Sequence, residues 1–300
     1  MTLLYLPSRQ KKVESFSQSY LFGERRIHVT AITHQGDKSK NEDSLVVCEN
    51  LFAVLDGLSV PSGGEFCSHV GSYIFALYAN RDNPQVMDEL KVRLNDYIDN
   101  ENIDGVEGLS DVIVSKLDRL IVDSKRGLID LRQVFVGSGG ISSILEDLLE
   151  DIRNPPSTTA VALEFINEGI DIYHHGDSLC GFYNHRTQRR GVLTEPDLSP
   201  KNRLTHFLGH HKGLDIVRGV QRDDYGSGVT YGLWTDGLGV LSEETIFGRI
   251  GRINTQQDYS GICSQLESCA SELVNQAYIV GNATRRTLSD NISLILVHVE

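Results

Sequence analysis

Between Asn83 and Asp151 the apolar residues return every three or four positions, as in "QVMDELKVRLNDYI", "LSDVIVSKLDRLIVDSK" and "SSILEDLLEDI", and this spacing predicts helices. The flanking segments read differently. "RIHVTAIT" (26–33), "SLVVCE" and "LFAVLD" precede the block, and "TTAVALEFI", "GIDIYHHG" and "SLCGFYN" follow the helix-stopping pair Pro155-Pro156. All have strand length and composition. Further strands are expected in "GVLT", "LDIVRGV", "GVTYGLWTD" and the closing "NISLILVHV", with helices over 65–79, 242–250 and 260–277. Strands, helices, strands, helices and a last strand do not make the regular β-α-β alternation that a parallel sheet requires. The order predicts an α+β sandwich of antiparallel sheets covered by helices. A chain of 300 residues allows one large domain or two small ones; without a repeat or linker, one domain over 1–300 is the simplest organisation. Residues 1–22 are poorly patterned and are expected to form an arm or a loose edge.

Charge and composition exclude several partners. The net charge of −13 opposes nucleic-acid binding, which needs a basic face to displace counterions. No run approaches the ~18 apolar residues of a membrane span. In "MTLLYLPSRQKK" the basic residues follow a short apolar burst, the reverse of a secretory leader, so a cytoplasmic protein is expected. The five cysteines, at 48, 67, 180, 263 and 269, are odd in number and none has CxxC spacing, which argues against a disulfide framework or a zinc site.

The acids are more informative. Asp56 ends an apolar strand and precedes Gly57; Asp236 ends "VTYGLWT" and precedes Gly237; Asp177 follows "IDIYHHG"; Asp290 precedes the last strand; Glu42 and Asp43 precede "SLVV". Carboxylates gathered at neighbouring strand ends repel one another, and a hard divalent cation with oxygen ligands relieves that repulsion. An Asp-Gly pair after a strand is equally the composition of a plain turn, and spacing along the chain leaves both readings open.

The same residues carry a family likeness. "NEDS" (41–44), "LFAVLDGLSVPSGGE" (51–65), "STTAVALEF" (157–165), "HHGDSLCGFY" (174–183), "LWTDGL" (233–238) and "SDNISLILVHV" (289–299) resemble, in order, the motifs of the metal-dependent type 2C (PPM) serine/threonine protein phosphatases. The resemblance implies a four-layer αββα sandwich, two antiparallel sheets flanked by helices. It implies hydrolysis of phosphoserine or phosphothreonine in proteins by a water held between two Mg²⁺ or Mn²⁺ ions, with a weaker third ion in some members. Carried over by position, Asp56 bridges both ions, the Gly57 carbonyl binds one, and Asp236 and Asp290 bind the other. Glu42 and Asp43 hold metal waters, and Asp177 joins Asp236 at the third ion. Asn291 is structural.

Departures from the family pattern are equally specific. Lys38 stands where the family places an arginine that clamps substrate phosphate, and an ammonium gives a point charge rather than a bidentate fork. Leu58 replaces the histidine that some relatives use as a general acid. The Asp-Gly loop continues with Ser59, Val60 and Pro61 in place of glycines, and Leu179 replaces an arginine. These changes keep open an alternative, a catalytically weak phosphatase-like regulatory or binding module. His174 and His175 adjoin the Gly-Asp-Ser turn, where a strand-end histidine is ordinarily surface or core. The helical insertion over about 100–156 is the least family-like part and a candidate surface for a regulatory partner.

Overall fold

The computed structural model describes residues 4–5, 12–58, 64–101, 157–166, 169–200, 215–217, 226–283 and 290–300, with single residues at 115, 116, 119, 122, 204 and 208. Its strands, in chain order, are β1 (Leu4–Tyr5), β2 (Val13–Phe22), β3 (Arg25–His34), β4 (Asp43–Cys48), β5 (Leu51–Gly57), β6 (Thr158–Ile166), β7 (Gly169–His175), β8 (Leu179–Asn184), β9 (Arg190–Val192), β10 (Asp215–Val217), β11 (Val229–Trp234) and β12 (Ile292–Val299). The long helices are α1 (Gly64–Ala79), α2 (Pro84–Glu101), α3 (Glu243–Ile250) and α4 (Tyr259–Ala283). One sheet has the order β1-β4-β5-β6-β7-β10 and the other β2-β3-β12-β11-β8-β9, with all neighbours antiparallel.

The period-2 alternation of each strand feeds two cores at once, which explains why these strands read as continuous apolar runs. In β5, Leu51, Ala53 and Leu55 pack with α1, while Phe52 and Val54 point into the space between the sheets. In β12, Ile295, Val297 and Val299 meet them there, while Leu294 and Leu296 pack under α4. Three apolar layers therefore separate four structural layers: α1 and α2, the first sheet, the second sheet, then α3 and α4. The helix α1 is buried along nearly its whole length because it lies between the first sheet and α2. No helix among the described residues is long and apolar enough to cross a membrane.

The expectation for residues 1–22 is corrected in part. From Val13 to Phe22 the chain is not an arm: β2 pairs with β3 residue for residue and edges the second sheet. Phe16, Tyr20 and Phe22 pack against the core between the sheets, but Glu14 and Gln18 share their face and interrupt the apolar row that would mark a strand. The helical insertion over about 100–156 lies mostly outside the described residues; Ser115, Lys116, Arg119 and Val122 are helical.

After β11 the chain enters a short 3-10 helix, Asp236–Val240, that abuts the start of β12. A Cβ on Gly237 would stand 2.0 Å from the carbonyl oxygen of Asn291, a backbone atom that cannot swing aside, whereas a Cβ on Gly239 would meet nothing within 4 Å. Gly237→Ala should therefore destabilise the protein by about 1–3 kcal/mol in urea unfolding, and Gly239→Ala should not. Equal effects of the two would show that the close approach is not what Gly237 provides.

Candidate metal site at one end of the sandwich

The inward-facing rows of both sheets turn polar at the same end. In β4 the row Val47, Leu45 ends in Asp43; in β5 the row Phe52, Val54 ends in Asp56. Asp43 and Asp56 are direct partners across the β4–β5 ladder, as Leu45 and Val54 are one step deeper. From the second sheet the rows end in Thr33, Thr235 and Ser293. Thr235 donates its hydroxyl to Asp43 Oδ2 at 2.9 Å, and Ser293 also hydrogen-bonds the Asp43 side chain. Ser293 Oγ lies 2.9 Å from Thr33 Oγ1, and Asn41 Nδ2 donates to Thr33 Oγ1 at 2.8 Å. The sandwich thus closes at this end with hydroxyls and carboxyls instead of methyls.

Asp56, Asp236, Asp290 and Asp177 ring this polar end. Asp236 leaves β11 one residue past Thr235, Asp290 stands at the entry to β12, and Asp177 occupies the turn between β7 and β8. Asn291 ties the strand ends together: its Oδ1 accepts from Glu42 N at 2.8 Å, and its Nδ2 donates to the carbonyls of Gln35 at 2.7 Å and Lys40 at 3.2 Å. Gly57 N donates to the Glu42 carbonyl at 3.1 Å, and Thr158 Oγ1 donates to the Asp56 carbonyl at 2.8 Å. A Cβ on Gly57 would lie 2.2 Å from the Gly64 oxygen and 2.7 Å from the Glu42 oxygen, so only glycine allows the β5 end, the 41–43 segment and the start of α1 to meet.

The electrostatics follow from this crowding. Burial pushes the Asp43 carboxyl up to about 7, with hydrogen bonds from Ser293 and Thr235 opposing and Asp290 and Asp236 adding to the rise. Asp56 is held well above the carboxylate range by burial and then by the charges of Asp236, Asp43, Asp290 and Asp177. Asp236 is pushed up to about 6 by its protein surroundings and by Asp290 and Asp177, although its side chain still reaches solvent. Asp177 is raised by burial and by Asp197 and Asp290. The acids line a recess that water enters but that protein largely surrounds. Lys38 is the cation facing them: its Nζ stands 2.8 Å from Asp290 Oδ1 and 3.4 Å from Glu42 Oε2. Burial lowers the Lys38 pKa, but the bonds and charges of Asp290 and Glu42 outweigh it and the net shift is upward.

The donor set is all oxygen, carboxylate and carbonyl, which is the chemistry of a hard divalent cation. Among the described residues no three acids, histidines or cysteines stand in a ready-made coordination shell. The acids are close enough to perturb one another, and the Asp56 and Asp236 side chains are within hydrogen-bonding reach.

Every acid singled out in the sequence lies at this end. Several contributors were not singled out: Thr235 appears only within the motif "LWTDGL", and Ser293, Thr33 and Asp197 were not considered individually. Asp197 Oδ2 accepts from Gly176 N at 2.9 Å, and its own N donates to the Gly176 carbonyl at 2.7 Å, bracing the turn that carries Asp177. Parity along the strand was the available signal for Thr33 and Ser293, since both share a face with the apolar inward rows. His174 and His175 are buried within β7. Leu58 N donates to the Ser157 carbonyl at 2.9 Å, while Ser59–Val60–Pro61 and His210-His211 lie outside the described residues.

Carboxyls whose pKa is higher in the folded than in the unfolded chain favour folding at low pH, and that contribution is lost as pH rises through the folded pKa. For Asp236 and Asp43 the folded values are about 6 and about 7, against 3.8 unfolded. With a chelator present, the melting temperature should fall between about pH 5 and about pH 8 more steeply than in Asp56→Asn, which removes one of the repelling charges. Parallel curves would mean that the acids do not repel as placed.

No family model matches the chain, and no curated protein matches it by sequence. Solved structures do match. The serine/threonine phosphatase of S. agalactiae is 18% identical with a TM-score of 0.58, covering 91% of this chain and 100% of that one. The catalytic domain of the serine/threonine protein phosphatase PstP, in complex with two manganese ions, is 18% identical with a TM-score of 0.51, covering 92% and 99%. PppA of Pseudomonas aeruginosa, a regulatory component of a type VI secretion system, is 15% identical with a TM-score of 0.53, covering 91% and 98%. With the sheet orders, helix layers and motif order given above, the chain has the fold of the type 2C serine/threonine protein phosphatases.

Proposed function

We propose that this chain is a cytoplasmic, metal-dependent phosphatase that hydrolyses phosphoserine and phosphothreonine in proteins. The observation that carries the reading is the meeting of Asp43, Asp56, Asp236, Asp290 and Asp177 at the polar end of the core, each raising the pKa of another. Buried like charges are costly, and among the described residues these acids outnumber the cations facing them, an imbalance that a bound cation would relieve.

Asp56 is central because four other acids act on it, which suits a ligand shared by two ions. The Gly57 carbonyl would complete one position, and Asp236 and Asp290 the other. Asp177, joined to Asp236 and Asp290 through their charges, would serve a third, weaker one. Glu42 and Asp43 would hold ordered waters; Asp43 is fixed for this by Thr235 and Ser293. Two Mg²⁺ or Mn²⁺ ions bound here would supply charge neutralisation and a water of lowered pKa. The residues supply positions: Asn291 holds the 41–43 segment against the head of β12, and Lys38 offers the substrate phosphate a positive charge. Leu58 brings no proton, so protonation of the leaving seryl or threonyl oxygen falls to water or to another residue. No cysteine nucleophile takes part. Cys48, Cys67, Cys180 and Cys269 are buried with thiol pKa values pushed up by burial, and Cys263 lies on α4 beside Ser19. The helical insertion over about 100–156 is the proposed place for partner or substrate selection.

The test is turnover of an aryl phosphate, a phosphoserine peptide and a sugar phosphate with Mn²⁺, with EDTA, and in Asp236→Ala. Turnover of the aryl phosphate and the peptide should fall to background in EDTA, and kcat/KM should drop roughly 10²–10³-fold in Asp236→Ala. Chelator-insensitive turnover, or preference for the sugar phosphate, would overturn the reading. Tight Mn²⁺ binding without turnover of any phosphate would instead identify a binding module.

A further inference from the structure

Lys38 is fixed at its backbone and reaches two acids through its long side chain. Gln35 Nε2 donates to the Lys38 carbonyl at 2.7 Å, and the loop turns at Gly36, whose φ is +66°. The ammonium at the end of four methylenes then bridges Asp290 Oδ1 at 2.8 Å and Glu42 Oε2 at 3.4 Å. Those two acids come from opposite sides of the recess, one before β12 and one before β4. A second lysine close by, Lys40, is directed away to Glu65 Oε2 at 2.8 Å. Among the described residues Lys38 is thus the cation placed on the acids, and it sits on Asp290, an acid assigned above to a divalent ion.

An ammonium within hydrogen-bonding distance of a carboxylate oxygen and a divalent cation at ~2.0–2.2 Å from the same carboxylate repel each other strongly in a partly dehydrated recess. Both cannot keep their preferred positions. Lysine, a flexible point charge, can leave with little rearrangement, whereas a guanidinium forked on a carboxylate gives up two bonds at once.

We propose that the Lys38 ammonium is an internal counter-cation for Asp290 and Glu42, displaced when a divalent ion binds and thereby released to meet the anionic oxygens of a substrate phosphoryl group. The proposal rests on the metal-site reading above and deepens it. One side chain then couples the two binding events: the divalent ion frees the charge that phosphate needs, and phosphate, by holding that charge away, strengthens the divalent ion. Reciprocity of this kind is a thermodynamic necessity once the two equilibria share a residue.

The experiment is calorimetric titration of the chelator-stripped protein with Mn²⁺ in phosphate-free buffer, then with inorganic phosphate present, for wild type and Lys38→Met. Methionine keeps most of the length and removes the charge. Removing a competing cation should tighten Mn²⁺ binding about tenfold, and inorganic phosphate should enhance Mn²⁺ binding in the wild type but not in Lys38→Met. The melting temperature of the stripped protein should fall in Lys38→Met and recover with Mn²⁺. If Mn²⁺ binds both proteins with equal affinity, or binds Lys38→Met more weakly, the counter-cation role is refuted while the metal site stands. If Mn²⁺ binds neither, the metal site itself is refuted and this role with it.

Discussion

Two carboxylates, Asp43 and Asp56, face each other across an antiparallel ladder on the inward side of a sheet, where pairs of apolar side chains stand one step deeper. Like charges opposed in this way destabilise a sheet. The rest of the molecule keeps them there. The β4–β5 hairpin fixes the register, so neither acid can move to the other face without inverting Leu45, Val47, Phe52 and Val54 out of the core. The helix α1 locks the outer face of the same hairpin through Leu51, Ala53 and Leu55. The second sheet approaches closely enough for Thr235 and Ser293 to reach Asp43. The repulsion is held in place by packing, and its relief is left to something that binds.

How a buried acid is served by groups of the protein itself is visible elsewhere in the same molecule. Glu164, on the outer face of the first sheet, accepts from the Tyr173 hydroxyl at 2.7 Å, with the Tyr78 hydroxyl at 3.4 Å. Burial raises its pKa; its partner across the β5–β6 ladder is Leu51, but Asp171 faces it across the β6–β7 ladder and raises it further, while the Arg81 charge opposes the rise. Two phenols and the charge of a nearby guanidinium serve Glu164. At the end of the sandwich the hydroxyls of Thr235 and Ser293 serve one carboxylate, and Lys38 serves two more, against a ring of acids that also includes Asp56, Asp177 and Asp236. The difference between a structural acid and a ligand-binding set lies in this imbalance, and it does not depend on any motif.

Much of this was legible in the sequence, for physical reasons that differ by element. The strands β5, β6, β7, β11 and β12 announced themselves because both faces of each are buried, giving unbroken apolar runs between turn residues. The acids were legible as strand-end residues, and their order supplied the family likeness. β2 was not legible, because an edge strand tolerates Glu14 and Gln18 on the half-buried face they share with Phe16, Tyr20 and Phe22, and the alternation that defines a strand is diluted. Thr33 and Ser293 were hidden for the opposite reason. They sit inside apolar strands and look like ordinary strand residues until the register shows which face they share and how near the core ends. The pairing of Lys38 with Asp290 crosses the whole chain length and has no local signature at all.

The far end of the second sheet shows why the acid end is the one that calls for a ligand. There the outward-facing residues also become polar. Ser19 Oγ contacts His28 Nδ1 at 2.6 Å, and Thr230 Oγ1 lies 2.8 Å from His185 Nε2 and 2.9 Å from His298 Nδ1. Glu300 Oε1 stands 3.4 Å from His28 Nε2. Burial lowers the pKa of His185 to about 4 and that of His298 to about 3, and it lowers His28 as well. Histidine can answer burial by shedding its charge and still act as both donor and acceptor, so this cluster closes on itself near neutral pH. Carboxyls can answer burial only by taking up protons, and at neutral pH a ring of them cannot all do so at modest cost. One end of the sandwich therefore sheds its charge, and the other keeps a charge imbalance that a cation is suited to fill. That asymmetry, arising from which titratable residues stand at which strand ends, is the physical basis for placing the chemistry where Asp43 and Asp56 meet.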